Sequence, residues 1–365
     1  QARSSGCPQI SEDTRRFSDR EHGQTRPAGY IQYAVQRIHK YEGLKTPPRI
    51  SFRTLAIGGI TVATPAEWIE GARLRTLPLA LAPIIAGSAA AYEIDAFKPW
   101  YAFLAFLVAF FLQVGVNYAN DYSDGIKGTD EGRVGPMRLV GSGAASAKSV
   151  KYAAFLCFAL AMCSGLILVA LANQWWFLAI GASAVFAAWG YTGGKHPYGY
   201  MGLGDIFVFV YFGLVATLGT LYTQSHELTV TGWVSAIAIG LISCALLMAN
   251  NVRDIPTDRK SGKLTLAVRL GDWRARIAYC AEMLIALLLG AFVVPHNPWF
   301  LVTFILLGPI VHSCVTVLFK QGPALIPVLK QAGIVALIYS ILVAISVWLH
   351  GLNLLSYTNE VFTGY

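Results

Sequence analysis

The stretch "WYAFLAFLVAFFLQVGVNYANDYSDGIKGTDEGRVGPMRLVGSG" (residues 100–143) changes from apolar to polar within a few residues. Its first part is long and apolar enough to cross a bilayer as a helix. Asn117, Asn120, Asp121 and Asp124 lie at the end of this helix. Unpaired carboxylates are costly in such a position, so acidic residues there usually serve a function. The stretch therefore predicts a membrane helix that ends in a functional site.

The composition of the whole chain is also that of a membrane protein. Hydrophobic residues make up 55% and charged residues 13% of the 365 residues, whereas soluble domains contain about 25% charged residues. Apolar segments of spanning length lie near residues 77–93, 100–118, 152–172, 174–191, 203–223, 230–249, 277–295, 299–319 and 332–350. We therefore expect an all-α membrane protein with nine transmembrane helices over residues 65–351, a polar leader at 1–64 and a short polar tail at 352–365.

Lysine and arginine are concentrated in alternate connections between the predicted helices. The connections after the second, fourth, sixth and eighth helices contain Lys127, Arg133, Arg138, Lys148, Lys151, Lys195, Arg253, Arg259, Lys260, Lys263, Arg269, Arg274, Arg276, Lys320 and Lys330. Because basic loops remain in the cytoplasm, these connections and the N-terminus are predicted to be cytoplasmic. The chain is then a multi-pass protein of the cell (plasma) membrane whose functional site faces the cytoplasm. This asymmetry accounts for most of the net charge of +8, and we expect no nucleic-acid partner.

A second polar stretch, "ANNVRDIPTDRKSGKLTLAVRLG" (249–271), follows the sixth predicted helix. It lies four spans after the first, a spacing that indicates an internal duplication of four-helix units. Asn117, Asp121 and Asp124 share one helical stripe, because they are spaced i, i+4 and i+7. Asn250, Asp254 and Asp258 share another at i, i+4 and i+8. We expect these two stripes to face each other.

Both polar stretches combine acidic residues with basic ones. Oxygen ligands without His or Cys favour a hard cation, and Mg²⁺ typically takes only one or two protein carboxylates. Neighbouring Arg and Lys side chains suit a phosphate group. This combination predicts a diphosphate bridged by Mg²⁺ at the cytoplasmic boundary of the membrane. A structural alternative is that each aspartate pairs with an adjacent Arg or Lys, and another functional alternative is a cation-coupled transporter.

The two motifs resemble those of the UbiA superfamily of intramembrane prenyltransferases. Asn120-Asp121-x-x-Asp124 matches the first aspartate-rich motif of that family, and Asp254-x-x-x-Asp258 matches the second. The resemblance covers about residues 65–350 and implies a bundle of two four-helix repeats plus one helix. With "ARLRTLP" (72–78) and "YTGGKHPYGYMGLGD" (191–205), the motifs are most similar to the branch that prenylates 1,4-dihydroxy-2-naphthoate in menaquinone synthesis.

The resemblance also implies roles for individual residues. It assigns catalysis to Asp121, Asp124, Asp254 and Asp258. It assigns the binding of Mg²⁺, as two ions that bridge the diphosphate, to these four together with Asn120 and Asp130. The predicted diphosphate-binding residues are Asn117, Lys127, Arg138, Lys195, Asn250, Asn251, Arg253 and Lys263, and the predicted acceptor-binding residues are Arg73, Arg75 and Tyr191. Gly128 stands where the family pattern has its last aspartate, so Asp130 is assigned that role.

The implied reaction transfers a polyprenyl group from polyprenyl diphosphate to 1,4-dihydroxy-2-naphthoate. Diphosphate and CO₂ leave, and demethylmenaquinone forms. Charges at the two motifs stabilise the departing diphosphate, aromatic side chains shield the allylic cation, and the isoprenoid tail leaves sideways into the lipid bilayer. Within this reaction class, 4-hydroxybenzoate and homogentisate are alternative acceptors, and the sequence leaves both the acceptor and the chain length open.

Overall fold

The computed structural model describes residues 63–128 and 137–363, with side chains up to residue 352. All of these residues belong to one compact unit, Thr61–Tyr365. Within the described residues all regular structure is helical, which agrees with the predicted all-α fold. The helices are α1 (Pro65–Ala72), α2 (Leu77–Tyr92), α3 (Pro99–Lys127), α4 (Ala147–Ala172), α5 (Phe177–Gly190), α6 (Gly204–Ser225), α7 (Val230–Lys260), α8 (Leu266–Leu270), α9 (Asp272–Phe292), α10 (Pro298–Phe319) and α11 (Ile326–Thr363).

The helices coincide with the apolar segments of the sequence. Eight helical stretches in the described part of the chain are long and apolar enough to cross a membrane. The remaining predicted span, 174–191, forms the shorter helix α5 of 14 residues. The count of nine transmembrane helices and the cytoplasmic N-terminus therefore stay predictions. The predicted leader falls almost entirely outside the described residues, whereas α11 continues through most of the segment assigned to the polar tail.

The first predicted span begins with a break between two helices. Thr64 and Glu67 form a capping box at the start of α1, in which the Thr64 backbone N–H donates to Glu67 Oε2 at 2.6 Å and Glu67 N–H donates to Thr64 Oγ1 at 3.3 Å. α1 ends at Arg73, a non-glycine residue in the left-handed region with φ of 55°. Asn117 Nδ2 of α3 donates to the Ala72 carbonyl at 2.9 Å. Because α3 thereby satisfies a helix-end carbonyl, the break is tied to the first acidic motif.

Two glycines permit a close approach between α6 and α7. The middle of α6, Phe209–Val215, is a π-helix, a form that is common at functional sites. A Cβ atom added to Gly213 would lie only 2.5 Å from the Cα atom of Gly240. Larger side chains at this crossing would therefore force the two helices apart. Small residues at membrane helix interfaces generally allow such a close approach.

The interior of the bundle is apolar and is formed mainly by α2, α7, α9, α10 and α11. Its fully buried members include Ile239, Met248, Tyr279 and Met283. A second buried cluster joins α1, α3 and α4 around Tyr118, Leu139 and Phe158. Asp124 of the first motif and Arg253, the neighbour of Asp254 in the second, line one cavity. Both acidic motifs therefore lie at the same end of the bundle. We call this end the motif end and define it by Asp124 and Arg253.

Candidate active site

A cavity of about 660 Å³ lies between helices α2 to α7 and α11. Its lining residues with charged or amide side chains are Arg73, Arg75, Gln113, Asn117, Asn120, Asp124, Arg138, Asn250, Asn251, Arg253, Lys263 and Lys330. Most of them were predicted as site residues from the sequence. The structure thus brings residues of the first motif, the residues just before the second motif and the basic pair before α2 to one cavity, although they are distant in sequence. Asp254 and Asp258 themselves are not among the lining residues, so their predicted roles in metal binding and catalysis stay predictions.

The first motif does not present the stripe that the sequence predicted. Asn117, Asn120 and Asp124 line the cavity, whereas Asp121 is not among the lining residues. Asp121 is 1% exposed, and its carboxylate accepts hydrogen bonds from Leu139 N–H at 2.7 Å and Val140 N–H at 2.9 Å. Positions 120 and 121 flank the same helical face, so the spacing alone did not distinguish between them. The metal-binding role predicted for Asp121 is untested, and these contacts favour a structural role for its carboxylate.

Asp124 lies at the centre of the motif end. It is 4% exposed, and its Oδ1 accepts a hydrogen bond from the Tyr200 hydroxyl at 2.8 Å. Its Oδ2 lies 3.3 Å from Nη2 of Arg138, which forms a buried salt bridge. α3 ends three residues after Asp124, at Lys127, because Gly128 adopts a left-handed conformation with φ of 70°. Asp130, to which the sequence assigned the last position of the motif, falls outside the described residues.

The second motif contains a tight pair between neighbouring residues. Arg253 donates to both carboxylate oxygens of Asp254, from Nε at 2.7 Å and from Nη2 at 2.6 Å, and Nη2 also donates to Asn250 Oδ1 at 2.7 Å. This pair is the arrangement that the structural alternative predicted for the second motif. It does not exclude a metal, because a carboxylate offers about four lone-pair positions. Asp258, one helical turn later, is also buried at 8% exposed.

The connection between α5 and α6 holds the two motifs together, and the sequence did not predict this role for its residues. Thr192 is 1% exposed; its hydroxyl donates to Asn120 Oδ1 at 2.7 Å, and its carbonyl accepts from Lys127 Nζ at 2.6 Å. The Tyr200 carbonyl accepts a hydrogen bond from Leu264 N–H, beyond the second motif, at 3.0 Å. Within the stretch 191–205 the sequence assigned roles only to Tyr191 and Lys195.

The basic residues of the site fall into two groups. Arg73, Arg75 and Lys263 line the cavity. The sequence predicted that the two arginines bind the acceptor and that Lys263 binds the diphosphate. Lys127 and Lys195 are not among the lining residues: Lys127 donates to a backbone carbonyl, and the Lys195 side chain is exposed. Their roles in diphosphate binding stay predictions.

Two further lining residues are Lys330, which the predicted set does not include, and Tyr191, which it does. Lys330 of α11 lines the cavity beside Ile326 and Pro327, although the sequence suggested only a topological role for it. Tyr191, the predicted acceptor residue, also lines the cavity. A tyrosine hydroxyl is protonated at neutral pH, so Tyr191 is available as a hydrogen-bond donor.

The donor atoms of the motif end suit a hard cation that shares a substrate phosphate. Among the described residues no three His, Cys, Asp or Glu side chains are arranged to hold a metal ion by themselves. Mg²⁺ typically takes only one or two protein carboxylates and completes its shell with water and phosphate oxygens. Asn120 and Asp124 of α3 and Asn250 and Asn251 of α7 all line the cavity, and their carboxylate and amide oxygens suit such a partial shell.

The remainder of the cavity is apolar. Its walls away from the motif end include Pro83, Ile84, Val108, Leu168, Phe177, Ile180, Phe212 and Val215. Glycines also line it, and a Cβ atom added to Gly181 would meet nothing within 4 Å. A cavity with one charged end and a long apolar remainder is suited to an amphiphile with an anionic head.

A family model described as the UbiA prenyltransferase family matches residues 80–324 of the chain. The chain belongs to the UbiA prenyltransferase family. The family predicted from the two motifs is therefore confirmed. The chain is 47% identical over 290 residues to 1,4-dihydroxy-2-naphthoate octaprenyltransferase of Mycobacterium tuberculosis, which covers 78% of the chain and 97% of that protein. It is 40% identical over 293 residues to the Escherichia coli protein of the same name, with coverage of 77% and 95%.

Solved structures of other UbiA proteins share the fold. A UbiA homologue from Archaeoglobus fulgidus bound to DMAPP and Mg²⁺ superimposes with a TM-score of 0.56 at 16% identity, over 77% of this chain and 99% of that one. The apo structure of a UbiA homologue from Aeropyrum pernix K1 gives a TM-score of 0.57 at 17% identity, over 74% and 97% of the two chains. At these identities the similarity establishes the fold of this UbiA protein, and its site must be interpreted from its own residues.

Proposed function

We propose that this UbiA protein transfers a polyprenyl group from polyprenyl diphosphate to 1,4-dihydroxy-2-naphthoate. The observation that carries the proposal is the cavity itself, whose motif end combines Asp124 with Arg138, Arg253 and Lys263 and whose remainder is apolar. Such a cavity places an anionic head at the motif end and a hydrocarbon chain along the rest. The names of the relatives at 40–47% identity supply the acceptor.

The charged residues of the motif end bind and activate the diphosphate. Arg253 comes from the polar stretch that contains the second motif, and Lys263 follows that motif. Arg138 follows the first motif, so both motif regions supply cations for the diphosphate head group. Asn120 and Asp124 would hold Mg²⁺, which would supply positive charge to the departing diphosphate. Because these groups are in place before the C–O bond breaks, they stabilise the charge that develops on the leaving group.

The chemistry after departure of diphosphate needs shelter from water and an electron-rich acceptor. Tyr191, Tyr198, Phe207 and Tyr211 line the cavity near the motif end, and aromatic faces stabilise an adjacent cation. Diphosphate leaves with the electron pair of the C–O bond, the acceptor ring carbon that carries the carboxylate then attacks the allylic cation, and loss of CO₂ restores the aromatic ring. The product is the quinol form of demethylmenaquinone.

The acceptor carboxylate needs a cation that the diphosphate does not occupy. Arg73 and Arg75 line the cavity from the break between α1 and α2. A guanidinium group binds a carboxylate through two parallel hydrogen bonds. We assign the acceptor to these two arginines and Tyr191, and we place the site at the cytoplasmic face of the cell (plasma) membrane because the connections around it are the basic ones.

The test is an acceptor screen with the purified protein in lipid nanodiscs and radiolabelled prenyl diphosphates of different lengths. We expect Mg²⁺-dependent transfer to 1,4-dihydroxy-2-naphthoate, with a product whose mass shows that the carboxyl group is lost. Faster transfer to 4-hydroxybenzoate or homogentisate would reassign the acceptor. If no acceptor is prenylated, and labelled prenyl diphosphate instead crosses the membrane of proteoliposomes, the protein is a transporter.

A further inference from the structure

We propose that Tyr200 is a positioning residue that links the two acidic motifs and sets their affinity for the metal and the diphosphate, an inference that rests on the proposed function. Its hydroxyl donates to Asp124 of the first motif at 2.8 Å. Its backbone carbonyl accepts from Leu264 N–H, just after the second motif, at 3.0 Å. One residue of a third segment therefore contacts both halves of the site.

The ring of Tyr200 also organises two cations. Lys127 Nζ lies 5.0 Å from the ring centroid and Lys263 Nζ lies 5.1 Å from it. Ammonium groups at this distance are attracted by the negative face of an aromatic ring. Lys127 ends α3 and Lys263 follows α7, so the ring holds one lysine from each motif region although the two ammonium groups repel each other.

The local backbone makes this placement rigid. Tyr200 lies in the short 3₁₀-helix Tyr198–Met201, which ends at Gly202 with φ of 81°. A Cβ atom at Gly202 would lie 2.8 Å from the Arg269 side chain, so this turn packs closely against the segment after the second motif. The Tyr200 hydroxyl is consequently presented to Asp124 by a segment that is itself fixed to the opposite motif.

The hydrogen bond from Tyr200 has a defined consequence for a bound cation. A phenol hydroxyl donates a hydrogen bond without carrying a charge. It therefore orients Asp124 and leaves the negative charge of the carboxylate available to the metal. Partners that orient metal ligands in this way typically change metal affinity by about 10- to 100-fold when they are removed. The ring acts separately. It holds the ammonium group of Lys263, a residue that lines the cavity and is expected to neutralise charge on a diphosphate oxygen.

Two variants separate the hydroxyl from the ring. Tyr200→Phe removes the hydroxyl and its hydrogen bond to Asp124 but keeps the aromatic ring. Tyr200→Leu also removes the ring that Lys127 and Lys263 approach. Tyr101→Phe is the matched control: its hydroxyl makes a bond of similar length, 2.7 Å to the Leu171 carbonyl, but it is not among the residues that line the cavity. All three proteins are purified in detergent and compared with wild type for thermal unfolding.

The decisive measurement is Mn²⁺ binding in the presence of inorganic diphosphate, monitored by electron paramagnetic resonance. The Mg²⁺ dependence of turnover is measured on the same proteins. We expect Tyr200→Phe to raise the Mn²⁺ dissociation constant about tenfold with unchanged thermal unfolding, and excess Mg²⁺ to restore its turnover. Tyr200→Leu should also weaken the binding of inorganic diphosphate. Tyr101→Phe should bind both ligands as wild type does.

Wild-type Mn²⁺ affinity in a folded Tyr200→Phe protein would overturn the proposal, as would an equal loss in Tyr101→Phe. If Tyr200→Leu fails to fold, Tyr200→Phe alone decides. Failure of the proposed function looks different: the wild type then binds Mn²⁺ and diphosphate without prenylating the naphthoate. In that case the binding comparison between wild type and Tyr200→Phe still tests the role of Tyr200.

Discussion

Asp121 fixes a distant segment of the chain, because its Oδ2 accepts a hydrogen bond from the backbone N–H of Leu139 at 2.7 Å. The other carboxylate oxygen accepts from Val140 N–H at 2.9 Å. Both contacts hold the residues that directly follow Arg138, the partner of Asp124. The two aspartates of the first motif thus have different surroundings, and different effects are expected when each is removed.

Asp121→Ala should mainly lower stability. It leaves two backbone N–H groups without their charged acceptor, and an unsatisfied buried donor costs about 1–3 kcal/mol. We expect a clearly lower melting temperature in detergent, and an unchanged Mg²⁺ concentration for half-maximal turnover in the fraction that remains folded. An unchanged melting temperature with a raised Mg²⁺ requirement would instead identify Asp121 as a metal ligand.

Asp124→Asn should mainly abolish activity. The amide is nearly isosteric and keeps an oxygen that can accept from Tyr200, but it removes the charge on which a divalent cation depends. We expect a lower melting temperature, because Arg138 loses the charge of its buried partner, and turnover of the folded protein lowered by about 10³-fold, comparable with the loss of a large electrostatic contribution to catalysis. Near-normal turnover at saturating Mg²⁺ would contradict the proposed metal site.

Lys263→Met tests the diphosphate end of the cavity. Lys263 lines the cavity, so loss of its charge should lower kcat/KM for prenyl diphosphate by about 10²-fold, the effect typical of one preorganised donor. Lys260→Met is the matched control, because Lys260 is exposed and is not among the lining residues. Equal effects of the two substitutions would mean that general positive charge near the membrane, and not a contact in the cavity, assists the substrate.

Glu93 predicts a pH dependence of stability. The Thr231 hydroxyl donates to Glu93 Oε1 at 2.8 Å, and burial is the main cause that raises the pKa of Glu93 above its usual value. The folded protein therefore binds this proton more tightly than the unfolded chain, so the contribution of Glu93 to stability is present below the unfolded pKa and is lost as pH rises through the folded pKa.

The corresponding measurement compares wild type with Glu93→Gln in detergent. As pH rises from below the ordinary pKa of a glutamate through the raised pKa of folded Glu93, the melting temperature of wild type should fall relative to that of the variant. His296 and His350, which also interact electrostatically with Glu93, are present in both proteins, so the difference between the two curves isolates the carboxyl group. Parallel curves would show that Glu93 titrates normally.

Membrane orientation is tested with single cysteines in a background from which the six native cysteines are removed. Ser261 and Glu227 are both exposed; they follow α7 and α6, respectively. We expect an impermeant thiol reagent to label Ser261→Cys only from the cytoplasmic side and Glu227→Cys only from the outside, as the distribution of basic residues requires. The reverse pattern would invert the predicted topology and move the site to the outer face.

The sequence predicted the fold well because apolar length and composition determine where a membrane helix forms. It also predicted that residues from both motifs share a site. It did not predict that Asp121 faces the segment at Leu139, because helical spacing defines a face only within about one residue and the hydrogen-bond partner lies outside the helix. Tyr200 gave no signal in the sequence, since its function depends on Lys127 and Lys263, which only the folded chain brings to its ring.

Helix α5 has a consequence for the lipid around the protein. Its 14 residues extend about 21 Å at 1.5 Å per residue, roughly 9 Å less than the hydrocarbon thickness of about 30 Å. A short apolar helix is accommodated by thinning of the adjacent leaflet. With α5 counted as one of the nine predicted spans, we therefore expect the segment that begins at Tyr191 to lie at the depth of the acyl chains, where a lipid-dissolved substrate would meet the charged groups without first rising to the aqueous surface.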